Sequence, residues 1–221
     1  MMHFDWIVFD STGTLMHPEP DAAAVYHQFG SRHGLESTIE EIRQRLKQAM
    51  TRHFLGETIN HATDDANEEQ RWRRIVADTL PEIAAGEFES TFRELWESFA
   101  RPSSWRLFDD VLPTVKRLKD GGYKIAIASN FDERLPPLVD ALGLAPFVDE
   151  ILISSRVGFS KPNIRFYHLA AKRLDATNTQ RLLMIGDTYA GDVEAARQSG
   201  WQARHLVRDR DDAMIALTAD L

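Results

Sequence analysis

Between residues 123 and 207 the chain alternates short apolar runs with amphipathic stretches of helical period, and few folds satisfy that alternation. The runs at 123–128, 151–153, 182–185 and 202–207 have strand length. Helical stretches at 132–142 and 162–174, and a third ending at Ser199, separate them. Strands joined by helices run parallel, because each crossover returns the chain to the same end of the sheet. Strands that are apolar almost throughout need cover on both faces. A further apolar run at 4–9 supplies a first strand. A helix at 109–119, stopped by Gly121-Gly122, leads into the second strand. The expected fold is α/β: a Rossmann-like parallel sheet core covered by helices on both faces.

The stretch from Asp21 to Phe99 breaks this rhythm. Ala22, Val25, Tyr26 and Phe29 share one helical face, and Ile39, Ile42, Leu46, Met50 and Phe54 form a second. Trp72, Ile75, Val76 and Thr79 make a third stripe; Phe88, Phe92, Leu95, Trp96 and Phe99 make a fourth. Four amphipathic helices with no strand between them predict a small bundle, with a connecting loop at 56–67. Because the bundle follows the first strand directly, it is expected as an all-helical cap over residues 15–100, inserted into a core made of 1–14 and 101–221. The aromatic stripe of its last helix is expected to be core rather than a ligand platform. Pro136-Pro137 predicts a late start or a kink in the 132–142 helix, and Pro162 is expected near the first position of the next one.

Composition narrows the function classes. A formal charge of −8 with no long basic tract argues against nucleic-acid binding. No apolar run approaches a membrane span, and Met1-Met2-His3-Phe4-Asp5 lacks the basic head and apolar stretch of a signal peptide. The absence of cysteine excludes disulfides, thiolate metal sites and a cysteine nucleophile, which fits a cytoplasmic protein. The eight histidines show no i, i+4 zinc spacing; His17 is expected to be a solvated loop residue and Arg156 a surface charge.

Four strand ends are expected to carry chemistry: Asp10, Ser129, Lys161 and Asp187. In a parallel sheet all C-terminal strand ends share one edge, so residues far apart in sequence can converge there. Asp10 and Asp187, with Asp192 five residues on, offer the hard oxygen ligands that Mg²⁺ prefers. Ser129 and Lys161 offer a hydroxyl and a positive charge suited to phosphate oxygens. Gly13 allows a sharp turn after Asp10, and Thr14 adds a hydroxyl beside the carboxylate. Singly, each has a bland reading: an Asx turn, a helix cap, a solvated lysine.

Taken together, Phe9-Asp10-Ser11-Thr12-Gly13-Thr14-Leu15, Ile127-Ala128-Ser129-Asn130, Gly158-Phe159-Ser160-Lys161-Pro162-Asn163 and Ile185-Gly186-Asp187-Thr188-Tyr189-Ala190-Gly191-Asp192 resemble the motifs of the haloacid dehalogenase-like hydrolase superfamily, in the branch with a helical cap inserted after the first motif. The resemblance implies Asp10 as a nucleophile forming an aspartyl-phosphate. It implies Mg²⁺ held by Asp10, the Thr12 carbonyl, Asp187 and Asp192, phosphate bound by Ser129 and Asn130, and Lys161 neutralising charge. The implied substrate is a small phosphorylated metabolite.

One position departs from that pattern. Phosphatases of the family carry a second Asp two residues after the nucleophile as acid and base; Thr12 stands there in this chain. A threonine hydroxyl is a poor acid or base near neutral pH, and losing such a group costs about 10²–10⁴ in rate. The same fragment resembles the Asp-x-Thr-Gly-Thr phosphorylation motif of P-type ATPases, whose aspartyl-phosphate is long-lived. Slow turnover follows as the expectation. Two alternatives compete: dehalogenation of a 2-haloacid, and a non-catalytic binding or regulatory protein on the same scaffold.

Overall fold

The computed structural model describes residues 4–56 and 60–221. Residues 1–3, which belong to the leader reading, and 57–59, within the expected loop, lie outside them. Five parallel strands, β1 (Trp6–Phe9), β4 (Lys124–Ser129), β5 (Glu150–Ile153), β6 (Leu182–Gly186) and β7 (Gln202–His205), form one sheet in the order β5-β4-β1-β6-β7. Phe9 lies level with Ile127 on one side and Ile185 on the other. The strand order switches direction beside β1, which puts the crevice for ligands at its C-terminal end.

The alternating pleat divides the core into two layers. Ile7, Phe9, Ile125, Ile127, Leu183 and Ile185 face α5 (Val111–Asp120), α6 (Leu135–Ala141) and α10 (Ala213–Leu217). Trp6, Val8, Ala126, Ala128, Leu182 and Met184 face α7 (Ser154–Val157), α8 (Ile164–Arg173) and α9 (Ala195–Gln198). The expected parallel sheet, covered on both faces, is what the chain forms.

Between β1 and β4 lie α1 (Ala22–Arg32), α2 (Ile39–Leu55), α3 (Asp65–Thr79) and α4 (Ala85–Ser98), packed around Tyr26, Ile42, Leu46, Ile75, Val76, Phe92 and Leu95. A Thr38–Glu41 capping box starts α2 and satisfies two backbone donors at once. Two members of the expected buried stripe, Ile39 and Met50, are instead exposed. The stretch 15–100 is also not wholly helical. Met16–Pro18 (β2) pairs antiparallel with Trp105–Leu107 (β3), making a short ribbon where the chain leaves and re-enters the sheet layer. Three-residue strands are too short to show an alternating pattern, so the sequence carried no signal for them.

Three further details differ from expectation. Helix α6 starts at Leu135, placing Pro136 in the first turn, where a missing N–H costs nothing. Pro162 lies in the turn before α8, which begins at Ile164 with Asn163 as its N-cap. The segment after β6 opens as a π-helical turn over Tyr189–Glu194 before α9, a distortion that often marks functional sites.

Candidate active site

Asp10 follows β1 directly and Asp187 follows β6, its pairing neighbour, so the sheet register alone sets the two side by side. Asp192 reaches the same place because the wide π-helical turn brings its side chain back over the sheet edge. There one carboxylate oxygen accepts from the Thr188 N–H at 3.0 Å and the other from Lys161 at 2.5 Å. One oxygen from each of Asp10, Asp187 and Asp192 lies within 4.8 Å of the other two. Lys161 is not at a strand end, because α7 and a left-handed Gly158 intervene after β5. Its ammonium group nonetheless enters the cluster, donating to Asp10 at 2.7 Å and to the Ala128 carbonyl at 2.8 Å.

The remaining expected residues hold this arrangement. Both ends of the Asn130 amide clamp the Lys161 backbone, its Oδ1 accepting from the N–H at 2.7 Å and its Nδ2 donating to the carbonyl at 2.8 Å. A phosphate contact was the expectation for Asn130; fixing the lysine segment is what its contacts show. The Ser129 hydroxyl pairs with that of Ser11 at 2.6 Å. Thr14 bonds Asp187 rather than Asp10: its hydroxyl donates to the carboxylate at 3.2 Å and accepts from the Asp187 N–H at 3.1 Å. Gly13 has φ +89, and a Cβ there would lie 2.5 Å from Asp187 Oδ2, so no other residue type fits both the turn and the packing. Thr12 is exposed and lines the cavity above the cluster.

Three carboxylates against one lysine leave the ionised site two negative charges in excess. Burial pushes the Asp10 carboxyl from the ordinary 3.8 up to about 7; Lys161 opposes this, while Asp192 and Asp187 reinforce it. Burial and Asp192 raise Asp187 as well. Burial works against the Lys161 charge, but Asp10 and Asp192 outweigh it and hold the ammonium protonated. An all-oxygen donor set with a surplus of two negative charges fits a hard divalent cation.

Several residues near the site gave no sequence signal. His17, expected in solvent, is half-buried against the Phe108 ring at 4.7 Å and lines the cavity. Phe92, Leu95, Trp96 and Phe99 also line it, so the aromatic stripe of α4 is partly core and partly cavity wall. Glu68 and Arg71 of α3 are buried beside Ser160, although their i, i+3 spacing resembles an ordinary surface pair. Arg156 is paired with Glu133 at the surface, as expected. Among the described residues no helix is long and apolar enough to cross a membrane.

The chain is 28% identical over 201 residues to haloacid dehalogenase-like hydrolase domain-containing protein 3 of Bos taurus, covering 88% of this chain and 77% of that one. It is 28% identical over 129 residues to a glyceraldehyde 3-phosphate phosphatase of Methanopyrus kandleri, covering 58% and 52%. The Bacillus subtilis hydrolase YfnB, solved bound to magnesium, shares the fold with a TM-score of 0.72 at 17% identity, covering 95% and 92%. A solved dehalogenase does so with 0.73 at 20% identity, covering 95% and 88%, so the fold alone does not separate attack on carbon from attack on phosphorus. The family's sequence model runs from residue 4 to residue 200, taking in every member of the carboxylate–lysine cluster, and the chain belongs to the haloacid dehalogenase-like hydrolases.

Proposed function

We propose that this protein is a magnesium-dependent phosphohydrolase of small phosphorylated metabolites that acts through an aspartyl-phosphate on Asp10. The observation that carries this reading is the Lys161 ammonium set between Asp10 and Asp192, with Asp187 alongside and two negative charges left over. Such a surplus repels a 2-haloacid anion, and dehalogenation has no use for a cation to offset it. A phosphate ester brings its own charge to a cation and so makes use of the same surplus. The phosphatase name of the archaeal relative supports the same choice.

Asp10, Asp187 and Asp192, with the Thr12 carbonyl, would hold Mg²⁺, whose charge offsets that of the phosphoryl group. Asp10 attacks phosphorus; an Asp10 O–P bond forms, the P–O bond to the alcohol breaks, and the alkoxide takes a proton from solvent. Lys161 keeps the carboxylate oriented and balances charge as it builds on the phosphoryl oxygens. The Ser129 hydroxyl, itself positioned by Ser11, donates to one of those oxygens. Water then attacks phosphorus, releases inorganic phosphate and restores Asp10. Thr12 replaces the group that would activate that water, so the second step is slow. Residues 15–100 act as a cap over a core made of 1–14 and 101–221, in a protein of the cytoplasm.

Acid quenching during turnover of 4-nitrophenyl phosphate with Mg²⁺ tests this. A phosphoryl group trapped on Asp10, absent in Asp10→Asn, is the expected result, with a burst of nitrophenol before a low steady rate. Halide release from a 2-haloacid with no phosphate release would overturn it.

A further inference from the structure

Resting on that phosphohydrolase reading, we propose that the alcohol released is an apolar, ring-bearing one rather than a polyhydroxylated metabolite. A cavity of about 650 Å³ runs without interruption from Asp10, Lys161 and Asp187 into the space between the helices α1 to α4. Its far wall is built from Tyr26, Met50, Phe54, Trp72, Trp96 and Phe99. Protein interiors pack to near-crystalline density, so an opening of this size bounded by rings is not ordinary core packing. Its volume matches that of pockets which enclose small organic ligands.

The charged side chains that line this part of the cavity are paired or exposed to solvent. Arg134 sits against the Trp96 ring at 3.3 Å, but its guanidinium is taken up by Asp132 through two contacts of 2.8 Å and by the Trp96 carbonyl. Arg43 and Lys47 line the cavity from α2 and are exposed to solvent, and Arg43 is paired with Glu40 and Asp21. Among those six wall residues Tyr26 carries the one hydroxyl. Tyr26 is 2% exposed and lines the cavity, and its phenol has no hydrogen-bond partner among the described residues. A hydroxyl that faces a cavity without a protein partner is free to bond a ligand's polar atom. Burial keeps that phenol protonated and therefore a donor. A polyol would set most of its hydroxyls against rings and leave them unsatisfied, which burial penalises.

Turnover of 2-phenylethyl phosphate, sn-glycerol 3-phosphate and 3-phosphoglycerate with Mg²⁺ tests this, since all three leaving groups are aliphatic alkoxides and ring activation plays no part. The expected result is a kcat/KM for the phenylethyl ester at least about tenfold above the other two, the effect of burying one ring. Trp72→Ala should shrink that ratio. A binding readout stands apart from catalysis: tryptophan emission titrated with 2-phenylethylphosphonate and with ethylphosphonate should give at least about tenfold tighter binding of the former. If all three esters are hydrolysed and glycerol phosphate or phosphoglycerate is preferred, the inference falls and the phosphohydrolase reading stands. If none is hydrolysed while the phenylethylphosphonate still binds more tightly, the reading falls and the apolar site stands. If all three esters are hydrolysed alike, only the inference falls; if none is hydrolysed and neither phosphonate binds more tightly, both fall.

Discussion

Glu68 of α3 accepts a hydrogen bond of 3.2 Å from Ser160, the residue preceding Lys161, across 92 positions of sequence. The carboxylate is fully buried. It also receives Thr63 at 3.0 Å and Ser154 at 2.8 Å, and its second oxygen receives Arg71 at 2.6 Å. Arg71 in turn donates to Ser160 at 3.0 Å. A charged pair inside the protein thus ties the helices inserted after β1 to the segment that carries Lys161.

Removing one partner of a buried pair strands the other charge. Glu68→Gln should lower stability to urea by about 3–5 kcal/mol, whereas Glu68→Leu with Arg71→Met should recover most of that loss. Equilibrium unfolding of both variants checks this. A single variant as stable as the parent would mean that the pair is not what joins the two parts.

Asp10 sets a pH dependence whose sign follows from linkage. Between about pH 4 and pH 7 the folded, metal-free protein holds a proton on Asp10 that the unfolded chain releases at its ordinary 3.8. Stability therefore falls as pH rises through that window and levels off above it. Asp187, raised by the same causes, acts in the same direction. Thermal melts in EDTA at pH 5 and pH 8 should show the fall, and Asp10→Asn should shrink it. Because the proton and a divalent cation compete for the same oxygens, added Mg²⁺ should raise the melting temperature more at pH 8 than at pH 5. An unchanged pH dependence in Asp10→Asn would remove Asp10 as its source.

Thr12 is exposed and lines the cavity. Thr12→Asp should raise the steady rate on 4-nitrophenyl phosphate by about tenfold or more and diminish the burst, since water activation then keeps pace with phosphorylation. A folded, magnesium-binding variant no faster than the parent would show that another step limits turnover.

The five-stranded architecture and the meeting of Asp10 with Asp187 were legible in the linear chain because both follow from local patterns; Lys161 and Asp192, which lie beyond the strand ends, were marked by the motifs around them. Short runs that are apolar almost throughout mark buried strands, and a parallel sheet puts every strand's C-terminal end on one edge, so residues at those ends meet whatever their separation. What lay beyond the sequence depends on which surfaces face each other once the elements pack. Glu68 and Arg71 have the spacing of a solvated helix pair, and only the docking of α3 beside α7 buries them. Tyr26 and the aromatic stripe of α4 have the spacing of core residues, and only the gap left between helices and sheet turns part of that stripe into a cavity wall. The Met16–Pro18 ribbon escaped for a similar reason: three residues carry no period, and their pairing exists only because Trp105–Leu107 returns alongside. Local sequence specifies periodicity and strand ends, whereas the burial of a given side chain is a property of the partner it meets.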